Sequence, residues 1–171
     1  YPQELETFKK TKSGLKILLR PVRISDEPLL KAFFYSLSET TMYRRFMSVR
    51  KDMPHERLQD SFVVIDYTKQ MVILAVIRQE EKEEIVGVAQ YRGNEGSHTA
   101  EVAVVVADEY QQQGIGTELV SHLTYIAKRQ GLLGFSAEVL SENRVMLHLF
   151  EKMGFVAEKE VLQGAYTLKM G

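Results

Sequence analysis

The chain has 171 residues, 44% of them hydrophobic, a formal net charge of −1 and no cysteine. One domain with a sizeable core is expected at this length, and near-neutral charge without a Lys/Arg run argues against a phosphate-tracking nucleic-acid surface. The missing cysteine excludes disulfides, cysteine–zinc sites and a cysteine nucleophile, while the lack of an apolar run near the roughly 18–20 residues of a membrane span, or of a basic-plus-apolar leader, predicts a soluble, cytoplasmic protein with no membrane partner.

Residues 1–14 are polar and charged, with Pro2 and little periodicity, and read as an irregular arm or linker remnant before a domain covering residues 15–171. A start at Tyr1 rather than methionine is what a fragment cut from a longer polypeptide would show. Residues 15–22 (LKILLRPV) are strand-like, and Ser25-Asp26-Glu27-Pro28 reads as a helix N-terminus with acidic residues and proline in its first turn. That helix is predicted over 26–36, with Leu29, Leu30, Phe33 and Phe34 as its apolar face. Two more helices are expected, over 37–46 after cap chemistry and beyond Pro54, where Leu58, Phe62 and Ile65 recur at helical spacing. A hairpin follows, with strands at 71–78 and 85–92 around a charged turn at 79–84.

Residues 102–107 are a β-branched apolar run, of the kind a sheet buries on both faces, and a helical pattern begins near Gly114. Between them lies Gln111-Gln112-Gln113-Gly114-Ile115-Gly116. A strand running straight into a helix aims the first helical amides beyond the strand's end, and two glycines allow an anion to approach the backbone. Dinucleotide binding needs a third glycine where Leu119 stands, and no Lys-Ser or Lys-Thr pair completes a Walker loop. Taken alone, the hexapeptide also fits a plain tight turn. A strand at 137–140, a Ser-Glu-Asn entry, a helix carrying Val145, Leu149 and Met153, and strands at 156–161 and 165–170 complete an α/β (α+β) chain on a mixed sheet.

Q-x-x-G-x-G after an apolar strand that opens with a glutamate resembles the acetyl-CoA pyrophosphate loop of the GNAT family of N-acetyltransferases. SAEVLSENRVMLHLFEKMGF, residues 136–155, resembles the C-terminal cofactor half of the same family, in its order and at its distance. LRPVRISDEPLLKAFFYSLSETTMYRRF with the later TAEVAVVV is similar to the acetyltransferase domain of the bacterial protein lysine acetyltransferases often called Pat, which are commonly fused to a further domain. These resemblances imply the GNAT fold, a mixed, mostly antiparallel sheet flanked by helices. They imply acetyl-CoA as cofactor and a protein lysine, such as one on an acyl-CoA synthetase, as acceptor.

The family's site residues fall on named positions. Glu101 matches the glutamate that Pat-like domains use as general base, with His98 as a nearby competitor; a solvated strand-end carboxylate is the bland alternative. Cofactor contacts are expected from Val104, Val105 and Val106 on the strand, with an amide of Val104 or a neighbour as oxyanion donor. They are also expected from the loop residues Gln111, Gln112, Gln113, Gly114, Ile115, Gly116 and Thr117, and from Asn143 and Phe150. Asn143 is equally a helix N-cap. Phe150 stands where relatives often carry a tyrosine acid, so the thiolate is expected to leave without a dedicated protein acid, although Ser141 and Tyr110 offer hydroxyls. A small-amine or amino-acid acceptor, and a module that senses acyl-CoA without transferring it, are the alternative functions.

Overall fold

Gln70–Gln79 reads QMVILAVIRQ, and its residues 71–77 are buried on both faces. Met71, Ile73, Ala75 and Ile77 enter one apolar cluster, while Val72, Leu74 and Val76 enter a second on the opposite face. Period-2 alternation with apolar residues on both phases is what a central strand covered on both sides requires. The computed structural model describes residues 1–38, 40–41, 69–94, 96–140, 143–161 and 165–170. Among them eight strands form one sheet: β1 (Thr7–Lys10), β2 (Lys16–Pro21), β3 (Gln70–Gln79), β4 (Lys82–Gly93), β5 (Thr99–Val106), β6 (Gly134–Leu140), β7 (Val156–Val161) and β8 (Ala165–Met170). Their order is β1-β2-β3-β4-β5-β6-β8-β7, and every neighbouring pair is antiparallel except β5 with β6.

Helices α1 (Glu27–Ser36), α2 (Ile115–Arg129) and α3 (Arg144–Lys152) cover the sheet. Leu30, Phe33 and Phe34 of α1 close one face over Val72, Leu74 and Val76. On the other, Leu119, Leu123 and Ile126 of α2 bury against β3 to β6, beside Phe150 of α3. Helix α2 sits close to β4 because Gly87 offers no side chain there; a Cβ would lie 2.8 Å from Leu119 Cδ1. No helix among the described residues is long and apolar enough to cross a membrane.

Two expectations are corrected. Residues 1–14 are not an irregular arm throughout, because Thr7–Lys10 pairs with β2 from Thr7↔Leu19 to Lys10↔Lys16. Phe8, Lys9 and Lys10 are exposed, so this strand is held by backbone pairing and leaves no hydrophobic pattern to read. The hairpin turn is also tighter than residues 79–84, since Gln79 pairs with Lys82 and only Glu80 and Glu81 turn, at φ 49° and 68°. Both take the left-handed region that glycine or asparagine usually supplies, so strand pairing overrides local preference. Ser38 Oγ accepts from the Thr41 amide (3.1 Å) as helix-cap chemistry would. Beyond Thr41, the second expected helix and all of the third lie outside the described residues.

The N-terminal segment is tied down on both faces. Tyr1 donates its hydroxyl to Glu6 (2.6 Å), and the Arg23 guanidinium reaches the same carboxylate (2.8 Å). On α2, His122 Nε2 meets the Leu5 carbonyl at 2.8 Å. Burial pushes the His122 imidazole below its ordinary value near 6.5; the Leu5 bond works against this and the Lys9 charge with it. A histidine depressed in the folded state binds fewer protons there than when unfolded, so its contribution is complete above about pH 6.5 and lost as pH falls below that value. The melting temperature of wild type relative to His122→Asn is therefore expected to fall between pH 7.5 and 5. A pH-independent difference between the two would exclude this linkage.

Candidate active site

The site begins where β5 and β6 part company. Their parallel pairing covers only Thr99↔Gly134, Ala100↔Phe135 and Glu101↔Ser136. Beyond these residues β5 stays on β4 through Gly87↔Val106, and β6 stays on β8 through Leu140↔Ala165, so the two halves of the sheet diverge. The wedge between them opens into a cavity of about 460 Å³, lined by residues 102–106 of β5, Glu138 and Val139 of β6, the start of α2 and one side of α3. That is within the usual size of ligand sites.

Strand geometry decides which amides face the cavity. Thr99 C=O accepts from the Asn94 amide (2.9 Å) and Ala107 N–H donates to Val86 (2.8 Å), so the odd-numbered residues of β5 turn toward β4. With period 2, Val102, Val104 and Val106 turn their N–H and C=O toward β6, which has already diverged. The Val106 carbonyl accepts from Gln111 Nε2 at 3.1 Å. Val105 lines the cavity too, although its backbone turns the other way.

The loop after β5 is braced at three points. The Asp108 carboxylate accepts from the Ser38 amide (2.7 Å) and from the Thr41 hydroxyl, Gln111 holds the Val106 carbonyl, and the Gln113 carbonyl accepts from Ser13 Oγ (3.3 Å). Gly114 then takes the N-cap of α2 at φ 95°, and the first helical bond runs from Glu118 N–H to Gly114 C=O (3.1 Å). The amides of Ile115, Gly116 and Thr117 precede that bond and are the unpaired first turn. They carry the positive end of a 15-residue helix. Gly116 is needed for close packing: a Cβ there would lie 2.6 Å from Leu149 Cδ1 of α3.

Of the expected cofactor residues, Val104, Val105, Val106, Gln111, Gln112, Gly114, Gly116, Thr117, Asn143 and Phe150 line the cavity. The side chains of Gln113 and Ile115 do not. Gln113 Nε2 donates to the Glu109 carbonyl (3.4 Å), and Ile115 is 1% exposed in the core beside Gly87. Asn143 caps α3, its Oδ1 accepting from the Met146 amide at 3.3 Å, while bordering the cavity. Phe150 is buried edge-on against Phe155, with ring centres 4.9 Å apart. Tyr110 lies away from the cavity lining; burial first, then the Glu84 and Glu109 charges, raise its hydroxyl above the ordinary tyrosine range. Ser141 lies outside the described residues.

Glu101 is exposed at the last paired position before the divergence, between Arg92 of β4 and Ser136 of β6. By alternation its side chain shares the α1 face of the sheet with Val105, and its chain neighbours Val102 and Ala103 line the cavity. His98 is exposed three residues earlier, in the loop whose carbonyl accepts from Leu133 (2.6 Å). Asp108 and Lys12 escaped sequence reasoning. An aspartate directly after an apolar strand is a usable capping signal for the first, whereas Lys12 reaches the cavity from a turn 90 and more residues earlier in the chain and leaves none.

Residues 33–155 match the model of the acetyltransferase (GNAT) family. The chain is 30% identical over 147 residues to acetyltransferase PA5475 of Pseudomonas aeruginosa, covering 86% of this chain and 78% of that one. It is 32% identical over 154 residues to acetyltransferase Pat of Mycolicibacterium smegmatis, covering 90% of this chain but 45% of Pat, so it spans less than half of that relative. Its backbone superposes on the crystal structure of the GNAT domain of S. lividans PAT with a TM-score of 0.91, at 24% identity and with 99% and 98% of the two chains covered.

Proposed function

Since the chain belongs to the acetyltransferase (GNAT) family, with acetyl-CoA as its acyl donor, we propose that it acetylates the ε-amine of lysine side chains presented by proteins. The observation that carries this reading is the position of Glu101, exposed at the end of the wedge, where a side chain protruding from a large partner can reach it. The similarity to Pat along most of the chain supports the same reading.

In this reading the acetyl-CoA pyrophosphate lies against the amides of residues 112–117, and the pantetheine runs along β5 in the wedge. The thioester carbonyl meets a cavity-facing amide, that of Val104 or a neighbour, which holds the oxyanion of the tetrahedral intermediate. Glu101, directly or through a water, takes the proton of the lysine ammonium. The free amine forms the new C–N bond, its nitrogen gives up a second proton to solvent, the C–S bond breaks, and CoA leaves as a thiolate. With Phe150 at the usual acid position, the thiolate leaves unassisted by a protein hydroxyl.

The test incubates the protein with acetyl-CoA and either cell-extract proteins or free amino acids and polyamines, following CoA release and acetyl-lysine. Release with acetyl-lysine in proteins is expected. Release only with free amines would assign a small-molecule acceptor, and binding without release an acyl-CoA sensor.

Gly116→Val is expected to weaken CoA binding roughly 10–100-fold, the equivalent of about one charge-assisted hydrogen bond. The added methyls also displace Leu149, so the companion variant is Gly116→Val with Leu149→Ala, which restores space between the helices but not access to the amides. Recovery of calorimetric affinity in the double variant would show that packing alone was at fault.

A further inference from the structure

The turn between β1 and β2 reaches the cofactor cavity from a part of the chain that carries no recognisable motif. Thr11 is 4% exposed, its N–H donates to Leu15 (2.9 Å), and its hydroxyl accepts from the Leu15 amide (3.2 Å) and bonds Ser13 Oγ (2.9 Å). Ser13 in turn donates to the Gln113 carbonyl. This sets the backbone of Lys12 between them, its side chain exposed and its stem against the N-cap of α2: a Cβ on Gly114 would lie 3.2 Å from Lys12 Cγ and 3.4 Å from Lys12 N. Lys12 lines the cavity beside the unpaired first turn of α2.

A cation at a helix N-terminus opposes the helix dipole and lowers stability unless an anion sits between them. Among the described residues no carboxylate pairs with Lys12. Charges on the cavity wall are otherwise Arg144 and Lys152 of α3 against Glu138, an excess of positive charge suited to a ligand with several phosphates. We infer that Lys12 ion-pairs with a phosphate of acetyl-CoA, so that the N-terminal hairpin forms one wall of the cofactor site. This rests on acetyl-CoA occupying the cavity as proposed above.

The experiment titrates CoA and 3′-dephospho-CoA into the wild-type chain and into Lys12→Gln and Lys12→Arg, and records melting temperatures with and without ligand. Lys12→Gln keeps the stem that packs on Gly114 and removes the charge. It is expected to weaken CoA about 10-fold or more, the loss of one charge-assisted contact. Lys12→Arg is expected to retain most of the affinity. The unliganded melting temperature of Lys12→Gln should be unchanged or higher, because a repulsion with the dipole is gone; a purely structural lysine would lower it. Equal losses for CoA and dephospho-CoA place the contact on the pyrophosphate, and a loss confined to CoA places it on the 3′-phosphate. Unchanged affinity in Lys12→Gln while Gly116→Val weakens binding overturns this inference alone, whereas indifference to both substitutions overturns the cavity assignment with it. A lower unliganded melting temperature with matching losses in Gln and Arg variants also overturns it.

Discussion

Replacing Glu101 by glutamine is expected to lower kcat by about 10²–10⁴-fold at neutral pH and leave the affinity for acetyl-CoA nearly unchanged, the range general-base help typically supplies. The acceptor must lose a proton first, since a lysine with a reference pKa of about 10.4 is almost wholly cationic at pH 7. Glutamine keeps the size of the side chain and removes its basicity. Because Glu101 lies outside the cavity lining, cofactor binding has no reason to change. The variant should recover part of its rate as pH rises and free amine becomes available from solvent. Near-normal kcat at pH 7 would return Glu101 to the role of a solvated strand-end carboxylate and make His98 the next residue to substitute.

Asp26→Ala is expected to destabilise the fold by about 3–5 kcal/mol, the typical cost of leaving a buried charge without its partner. Arg20 and Asp26 are 1% and 3% exposed and meet in a two-pronged ion pair, Nη1 to Oδ2 at 2.7 Å and Nη2 to Oδ1 at 2.8 Å. The same carboxylate accepts from the Arg23 amide (2.7 Å), so it joins β2 to the turn that starts α1. Burial alone would lower the guanidinium pKa, but the hydrogen bonds and charge of Asp26 hold it above its usual value. Arg20 Nε has no partner among the described residues, and removing Asp26 leaves the cation a long bond from Nη1 to the Pro21 carbonyl (3.5 Å) in place of the two-pronged pair. Denaturant unfolding checks the size of the effect. Replacing both, as Arg20→Met with Asp26→Leu, should recover most of the loss, because no charge then remains buried. A cost below about 1 kcal/mol for Asp26→Ala would show that water reaches the pair.

Local patterns carried much of the architecture. The run at 71–77 needs apolar neighbours on both faces, so its place as a covered central strand is written in its composition. Helix α2 follows from periodicity after Gly114, and the strand-to-glycine-turn-to-helix junction places unpaired amides at one spot without knowledge of any other element. The final strands, Val156–Val161 and Ala165–Met170, fall where alternation and turn residues put them.

What failed to show in the sequence shares a physical cause. Strand β1 buries no side chain deeply and is held by backbone bonds, which every residue type makes alike. The Glu80-Glu81 turn uses residues that avoid positive φ, and only the pairing of its flanking strands imposes it. Gln113 and Ile115 share a motif with cavity residues, yet the 100° step of a helix and the brace from Ser13 send their side chains elsewhere.

By itself, then, the sequence determined the mixed α/β (α+β) plan, the anion-ready turn at Gly114 and Gly116 and the candidate carboxylate at Glu101, because each depends on residues within one or two turns of the chain. Tertiary structure alone decided where β5 and β6 diverge, which β5 amides face the opening, that Gly116 meets Leu149, and that Lys12 stands beside the α2 N-cap. These depend on pairing register and on contacts between residues tens of positions apart, which backbone hydrogen bonds and close packing select and no local pattern encodes.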